Sequence, residues 1–341
     1  PIGIQLGYVG YNAFSGNNVN YGNRISNVAF VGILKGIIQN SESINVEALT
    51  VENVRGMPLE VGIQIHLTND VIRFNGVHFN VNSYAALYSG TVSNYFRKVA
   101  TTCEVFRFGR VDEAVLCSCF AFGVKNLIHW YRDAYTGDSN SGGGVTLIGT
   151  SCDACHVPFQ VDRSGLNNFS VKVLGGVFVP IVKIDGSEQC MLKFSGVAAS
   201  NQFEFSGVKS FGHTHPALGD ATASDSPKYH IIWDTTGQSN VVVLSGCNLD
   251  EHSIGISKNE STANNNSYAM SGIEKGNIVS STTKPFTMKS SGTDGPGLLF
   301  DNDGGRMYEI DNYGAAGGSI LRFFMNGILL MALRENGELA L

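Results

Sequence analysis

Four acidic residues are the side chains of this sequence best suited to chemistry. Asp162, Asp185 and Asp234 each close a short apolar phrase, and Glu204 stands between two phenylalanines. Cleavage of a glycosidic bond commonly uses two carboxyl groups, one that protonates the leaving oxygen and one that acts as base or nucleophile. The three phrases that end in aspartate are Phe159-Gln-Val-Asp162, Val182-Lys-Ile-Asp185 and Ile231-Ile-Trp-Asp234.

The alternation of apolar and polar residues predicts that these carboxyl groups point outward from β-strands. If Asp162 and Asp185 lie on adjacent strands, they are about 5 Å apart, which is the spacing of neighbouring strands. Two carboxylates that close raise the pKa of one of them, as a general acid requires. Asp162, Asp185 and Glu204 are therefore the predicted catalytic acids. In the alternative reading, an aspartate before a glycine turn only caps that turn, and Glu204 is a solvated strand residue.

Two polar interruptions predict a binding surface. Residues 132–144 and 212–229 are rich in small and polar residues, and insertions of this kind emerge on the outside of a repetitive fold. Aromatic residues flank both, and the planar fork of a nearby arginine matches the carboxylate of an acidic sugar. We expect sugar to bind on this outer surface, through Trp130, Tyr131, Arg132, Tyr135, Arg163, Tyr229 and Asp234.

Cysteines and histidines raise the question of a metal or cofactor. Cys152-Asp-Ala-Cys155-His156 matches the C-x-x-C-H pattern of covalent haem attachment, but it lies in a repeating β run rather than in a haem pocket. Zinc held by Cys117, Cys119 and this pair would need a ligand spacing that common zinc sites do not use. His213 and His215 lie on a polar loop, where solvated side chains are the simpler interpretation. The sequence predicts no cofactor and no metal, with the cysteines as small apolar residues of the interior.

One short phrase recurs in the middle of the chain and predicts the fold. Apolar residues alternate with polar ones and a glycine follows, with a period a little over twenty residues, as in stacked β coils. Turn residues interrupt the pattern too often for a long amphipathic helix. We expect an all-β protein, built as a right-handed parallel β-helix, or solenoid. The copies are Val145-Thr-Leu-Ile-Gly149, Val171-Lys-Val-Leu-Gly175, Met191-Leu-Lys-Phe-Ser-Gly196 and Val241-Val-Val-Leu-Ser-Gly246.

Composition excludes several classes of protein. The chain has 341 residues, 43% of them hydrophobic and 15% charged, and its 41 glycines suit a turn-rich β protein. A net charge of −6 without a basic stripe argues against a nucleic-acid partner. No apolar run reaches the length that crosses a membrane, so no membrane insertion is expected.

The predicted organisation has four parts: an entry segment at 1–24, the β-helix at 25–257, an Asn-rich linker at 258–267 and a C-terminal β domain at 268–341. The strands of the last part are too few and too short to enclose a core alone. We therefore expect a homotrimer in which three copies share one core.

This order of parts resembles bacteriophage tailspike and tail-fibre proteins. The motif that carries the resemblance lies in the last part of the chain and runs from Arg306-Met-Tyr-Glu-Ile-Asp311 through Gly318-Ser-Ile-Leu-Arg-Phe-Phe324 to Gly327-Ile-Leu-Leu-Met-Ala-Leu-Arg-Glu-Asn-Gly337. The resemblance implies a homotrimer that is assembled in the host cytoplasm and acts from the virion tail at the bacterial surface. Its partner would be a surface polysaccharide, namely capsule, lipopolysaccharide or teichoic acid. The implied function is that of an endo-acting depolymerase, a glycosidase rather than a lyase. The alternative is a receptor-binding adhesin without catalysis.

Overall fold

The computed structural model divides the chain into an N-terminal unit, Pro1–Thr283, and a C-terminal unit, Lys284–Leu341. The residues that it describes are 2–6, 18–39, 44–82, 92–131, 143–162, 169–184, 187–196, 200–212, 229–235, 239–249, 255–259, 267–271, 294–302, 306–313, 320–325, 328–334 and 339–340.

The N-terminal unit is mostly β, and its strands pair in parallel. In the larger sheet two long strands, β9 (Val61–Asn75) and β11 (Glu104–Cys117), pair side by side. The first halves of these two strands pair with one set of further strands and the second halves pair with another set, and these two sets are called the A branch and the B branch. The A branch extends the first halves and contains β1 (Ile2–Leu6), β5 (Lys35–Gln39), β13 (Asn126–Trp130), β16 (Phe159–Val161), β19 (Leu192–Gly196), β22 (Tyr229–Thr235) and β25 (Gly255–Asn259). The B branch extends the second halves and contains β3 (Arg24–Ser26), β7 (Thr50–Glu52), β14 (Gly144–Ile148), β17 (Ser170–Leu174), β20 (Gln202–Ser206), β23 (Val241–Ser245) and β26 (Ser267–Ser271).

A second parallel sheet has eight short strands: β4 (Ala29–Phe30), β8 (Arg55–Gly56), β10 (His78–Asn80), β12 (Phe120–Val124), β15 (Ser151–Cys155), β18 (Val177–Pro180), β21 (Lys209–Ser210) and β24 (Asn248–Leu249). The strands β2 (Asn18–Tyr21) and β6 (Ile44–Glu47) form a separate parallel pair. The described residues contain one α-helix, α1 (Val92–Thr102), whose Phe96 packs on Phe122 with the ring centroids 6.2 Å apart.

The strands follow a fixed order along the chain. From β14 onward the chain visits the B branch, the second sheet and the A branch, and then repeats this order. Each strand pairs with its counterpart in the next repeat, so that Val145 is the partner of Val171 and Val171 is the partner of Phe203. Side chains at equivalent positions therefore line up in rows across the strands.

A column of left-handed residues forms the corner between the B branch and the second sheet. Gly149 has φ 56° and Gly175 has φ 69°, a backbone conformation that glycine and asparagine adopt at little cost. The Gly149 amide donates to the Leu174 carbonyl at 3.0 Å, and the Asn53 side-chain amide donates to Asn27 Oδ1 at 2.8 Å. The recurring glycine is thus a corner residue. The column consists of Asn27, Asn53, Gly76, Ser118, Gly149, Gly175, Gly207 and Gly246.

The inward residues of the sheets form one continuous core. Phe194 and Trp233 are register partners in the A branch, and their rings stack with centroids 4.7 Å apart. Trp130 is fully buried and meets Phe203 edge-on at 5.6 Å. Burial of one such ring contributes roughly 2 to 3 kcal/mol to folding, so the core supplies most of the stability.

The structure reassigns two of the repeated phrases. Met191–Gly196 was expected to be a copy of Val145–Gly149, but it forms β19 of the A branch, whereas Val145–Gly149 belongs to the B branch. The B-branch copy is residues 202–207. In the A branch, residues 192–195 take the place that was expected for residues 182–185. All these strands share the same apolar alternation, and inserted loops of unequal length obscured the true period.

Parallel pairing extends beyond both expected ends of the β-helix segment. β1 lies within the predicted entry segment and pairs with β5. Lys258 and Asn259, predicted to begin a linker, belong to β25, and β26 pairs with β23 through Ser271.

The C-terminal unit contains a five-stranded antiparallel sheet in which each strand pairs with the next along the chain. Its strands are β27 (Asp294–Asn302), β28 (Arg306–Tyr313), β29 (Ile320–Met325), β30 (Ile328–Arg334) and β31 (Leu339–Ala340). In the part of the chain that the structure describes, α1 and the turns offer no helical segment long and apolar enough to cross a bilayer.

Candidate functional site

The outer side of the A branch, called the A face below, carries two rows of polar side chains. Arg107, His129 and Gln160 are register partners on β11, β13 and β16, and each lies between residues that point into the core. The second row lies two residues further along each strand, where the Asp162 amide donates to the Trp130 carbonyl at 3.1 Å. The alternation of the strands therefore brings charged residues from three neighbouring strands together on one side.

A line of three ionisable side chains crosses these strands. Glu104 at the start of β11 lies 2.9 Å from His129 Nδ1, and His129 Nε2 lies 2.7 Å from Asp162 Oδ1. Glu104 and His129 are buried, whereas the Asp162 side chain is 40% exposed. The line thus runs from a buried carboxylate through an imidazole to a carboxylate that faces solvent.

Two more cations surround Glu104. Lys125 Nζ donates to Glu104 Oε1 at 3.2 Å, and Arg107 Nε lies 3.4 Å from Oε2. Oε2 meets no donor with the angle of a hydrogen bond, so its contacts with His129 and Arg107 are ion pairs rather than hydrogen bonds. The single buried carboxylate is therefore shared among three cationic side chains.

These contacts determine the charge states of the cluster. Burial alone would raise the pKa of Glu104, but His129, Lys125 and Arg107 outweigh it and hold that pKa at about 2. Burial would lower the pKa of His129, but the carboxylates of Asp162 and Glu104 outweigh it and raise that pKa above its usual value. The geometry favours the imidazolium form because the ring lies between two carboxylates, with Nε2 in a hydrogen bond to Asp162 and Nδ1 in an ion-pair contact with Glu104.

Tyr131 and His66 form a second layer of contacts on the side of Arg107 that faces away from Glu104. The Arg107 guanidinium lies over the Tyr131 ring, 4.2 Å from its centroid, and the Tyr131 hydroxyl hydrogen-bonds His66 Nδ1. Tyr131 is 7% exposed although it belongs to an outward row, because these side chains enclose it. Arg107 is consequently fixed by a ring face on one side and by Glu104 on the other.

The predicted acids do not converge as expected. Asp185 lies outside the described residues. The strand next to Asp162 is β19, and because Val161 pairs with Phe194, the residue level with Asp162 is Ser195 rather than another acid. Ser195 in turn pairs with Asp234 on β22, so Asp234 belongs to the same row two strands from Asp162.

Glu204 does face outward, since Phe203 and Phe205 on either side of it are fully buried. It lies on the B branch, however, where its register partners are Lys172 and Val243. The expectation that Glu204 shares a surface with Asp162 is therefore wrong, because the two strands belong to different branches.

The predicted aromatic residues also separate. Trp130 is a core residue, so the prediction that it presents its ring to sugar is wrong. Tyr131 belongs to the polar layer just described, and Tyr229 packs on a small cluster of Val157, Cys190 and Ile232. Arg132, Tyr135 and Arg163 lie outside the described residues, as do His213 and His215.

The C-x-x-C-H segment is part of the core and of its hydrogen bonding. Cys152 and Cys155 are fully buried, and burial raises the pKa of Cys152. His156 hydrogen-bonds the Val182 carbonyl at 2.6 Å through Nδ1 and Ser187 Oγ at 3.1 Å through Nε2. No group of three or more His, Cys, Asp or Glu side chains in the described ranges is arranged to hold a metal ion. Of the interior cysteines predicted, Cys117 is half-exposed and the rest are buried.

Sequence reasoning missed Glu104, Arg107 and His129. Each is a charged or ionisable residue in an otherwise apolar β run, which was the available signal. Their meeting depends on strand register, which no local pattern reveals.

Comparison with known proteins identifies no relative. No family model, no curated protein and no solved structure matches the chain. The basis for a function is therefore the geometry of the chain itself.

Proposed function

We propose that this chain is a bacteriophage tailspike or tail-fibre protein that binds a bacterial surface polysaccharide and cleaves it as an endo-acting depolymerase. In this proposal the N-terminal unit is a right-handed parallel β-helix, and the C-terminal unit joins three copies at the virion tail. The polysaccharide lies along the A face.

The support for a β-helix is the recurring order of strands together with the corner column. A chain that visits three strand sets in turn, and pairs each strand with its counterpart one repeat later, has the connectivity of a coil. Parallel crossover connections are right-handed in about 98% of cases. The stacked Asn27 and Asn53 amides and the glycines after them fit one corner that repeats in every coil.

The observation that carries the catalytic proposal is the contact between His129 and Asp162. His129 Nε2 lies 2.7 Å from Asp162 Oδ1 and fixes the position of that side chain, and a partly exposed carboxylate on a rigid strand can activate water or attack a sugar carbon. Glu104, on the other side of the ring, keeps the imidazole oriented. Asp162 is accordingly the proposed base or nucleophile.

The proton donor would be a second carboxyl group, and Asp234 is the proposed source. It stands two strands away in the same row, which corresponds to roughly 9.6 Å at 4.8 Å per strand. This backbone spacing lies just above the roughly 6.5 to 9.5 Å between carboxyl groups that leaves room for the water of an inverting hydrolysis. Ser195, between them, offers a hydroxyl that can bind the sugar.

A non-catalytic adhesin is the second candidate, and a specific observation favours it. The neighbours of Asp162 in its row are Tyr131 and Ser195, neither of which is an acid. A carboxylate that is hydrogen-bonded to His129 and flanked by hydroxyl groups also suits plain hydrogen bonding to sugar.

The proposed trimer rests on the C-terminal unit. A single sheet of five antiparallel strands leaves its faces without a partner layer unless another sheet or chain covers them. Three copies around one axis would supply that cover, and mass measured by light scattering tests this directly.

The test of function is incubation of the protein with capsule, lipopolysaccharide and teichoic acid from a panel of bacteria, followed by sizing of the polymers. Shortened chains support the depolymerase, retained binding without shortening supports the adhesin, and neither result with any polymer rejects both. Asp162→Asn should lower the rate about a hundredfold or more. Asp153→Asn, on the second sheet, is the matched control and should leave the rate unchanged.

A further inference from the structure

We infer that the A face recognises a carboxylate-bearing sugar, such as a uronic acid, through the guanidinium of Arg107. This inference rests on the proposed function for its polysaccharide partner, and it names the substrate class of the same surface. It depends on Arg107 itself, a residue to which no binding role was assigned above.

Arg107 is held in place before any ligand arrives. Its guanidinium stacks on Tyr131 at 4.2 Å, and its Nε lies 3.4 Å from Glu104. Tyr131 is in turn tied to His66 through its hydroxyl group. A guanidinium fixed on two sides loses little conformational freedom when it binds a ligand, which favours affinity.

The outer end of Arg107 remains available. Its side chain is 33% exposed, and within the described residues its terminal Nη atoms have no hydrogen-bond partner. Two parallel N–H groups of this kind match the two oxygens of a planar carboxylate. An amide or hydroxyl group would satisfy only part of this fork.

The surrounding charge also favours an anion. The cluster holds the cations Arg107 and Lys125 beside the carboxylates of Glu104 and Asp162, together with His129, whose pKa these carboxylates raise. Lys193, the register partner of Gln160, adds a further cation to the A face. This positive region belongs to a chain whose net charge is −6, so it is a local feature rather than an average property.

The experiment measures binding of glucuronate, glucose and glucose 6-phosphate to the full chain by ligand-detected NMR at low and high salt. Glucuronate should bind and glucose should not. Arg107→Gln should weaken glucuronate binding roughly tenfold to a hundredfold, the usual effect of losing a charge-assisted hydrogen bond. Arg107→Lys should recover only part of the loss, because it keeps the charge but not the fork.

Arg73→Gln is the matched control, since Arg73 is an exposed arginine on the B-branch half of β9. It should leave glucuronate binding within twofold of the parent. Equal binding of glucuronate by the parent and Arg107→Gln, or no binding by the parent, overturns the inference. Preference for glucose 6-phosphate over glucuronate overturns it as well, in favour of a phosphate site. Because no step here requires cleavage, failure of this inference is distinguishable from failure of the depolymerase proposal, which the sizing of polymers decides.

Discussion

The outer faces of the two branches of one sheet differ sharply. On the A face, side chains bridge three strands through ion pairs, with His129 held between Glu104 and Asp162. On the outer side of the B branch, called the B face, register partners Ile148 and Leu174 are each 43% exposed. The two faces cover the same apolar core and the same parallel pairing.

The difference teaches where stability and function reside in this chain. Inward residues are apolar on both branches, so the core does not distinguish them. Outward residues can vary without disturbing the backbone ladder, and a rigid strand then holds a functional group in a fixed position. Burying a carboxylate among three cationic side chains costs desolvation free energy. Packing alone therefore does not account for the charged residues of the A face.

The largest expected effect is on stability at the centre of the A face. His129→Ala leaves Glu104 buried with fewer cations and should lower the free energy of unfolding by about 3 kcal/mol, as the breaking of a buried pair does. Lys172→Ala on the B face should change it by less than about 0.5 kcal/mol. Denaturant unfolding of both variants measures the two changes in the free energy of unfolding. Equal changes would contradict the claim that the A face contributes more to stability than the B face.

The dependence of stability on pH sharpens the same contrast. The pKa of Glu104 is lowered from 4.5 to about 2, so its contribution is present above pH 4.5 and is lost as the pH falls toward 2. The pKa of His129 is raised above 6.5, so its contribution is present below pH 6.5 and is lost as the pH rises through the raised value. Midpoints of thermal unfolding across this range should be highest between pH 4.5 and 6.5.

His129→Gln provides the control for that profile. It removes the titrating imidazole, so the loss of stability on the alkaline side should disappear. If the unfolding midpoint of this variant still falls at alkaline pH, a group other than His129 causes that loss of stability.

A smaller effect is expected at the corner column that borders the B branch. Gly175→Ala places a side chain at φ 69° and should cost about 1 to 2 kcal/mol, although nothing within 4 Å of the new Cβ would clash. Ser118→Gly, in the same column at φ 52°, should be neutral or stabilising by up to about 1 kcal/mol. A neutral Gly175→Ala would mean that the corner does not need its left-handed residue.

The smallest effect is expected on the B face itself. Leu174→Gln should change the free energy of unfolding by less than about 0.5 kcal/mol, because the side chain is already 43% exposed. A loss above 2 kcal/mol would contradict the claim that the outward residues of this face add little to stability.

The sequence predicted the character of the fold better than the position of the site. Alternation and recurring glycines correctly indicated parallel strands, the outward position of Glu204 and the turn at Gly149. Trp130 borders a polar loop but lies in the core, because its own strand points both Ile128 and Trp130 inward. The Glu104–His129–Asp162 line could not be predicted, since it depends on pairing between strands separated by loops of unequal length.

The central claim is that the A face binds the polysaccharide. A structure of the Asp162→Asn variant with an oligosaccharide fragment of the polymer that it binds tests this claim most directly. The account predicts sugar within hydrogen-bond distance of residue 162 and of the Arg107 guanidinium. Sugar bound instead on the B face, beside Lys172 and Glu204, would contradict it.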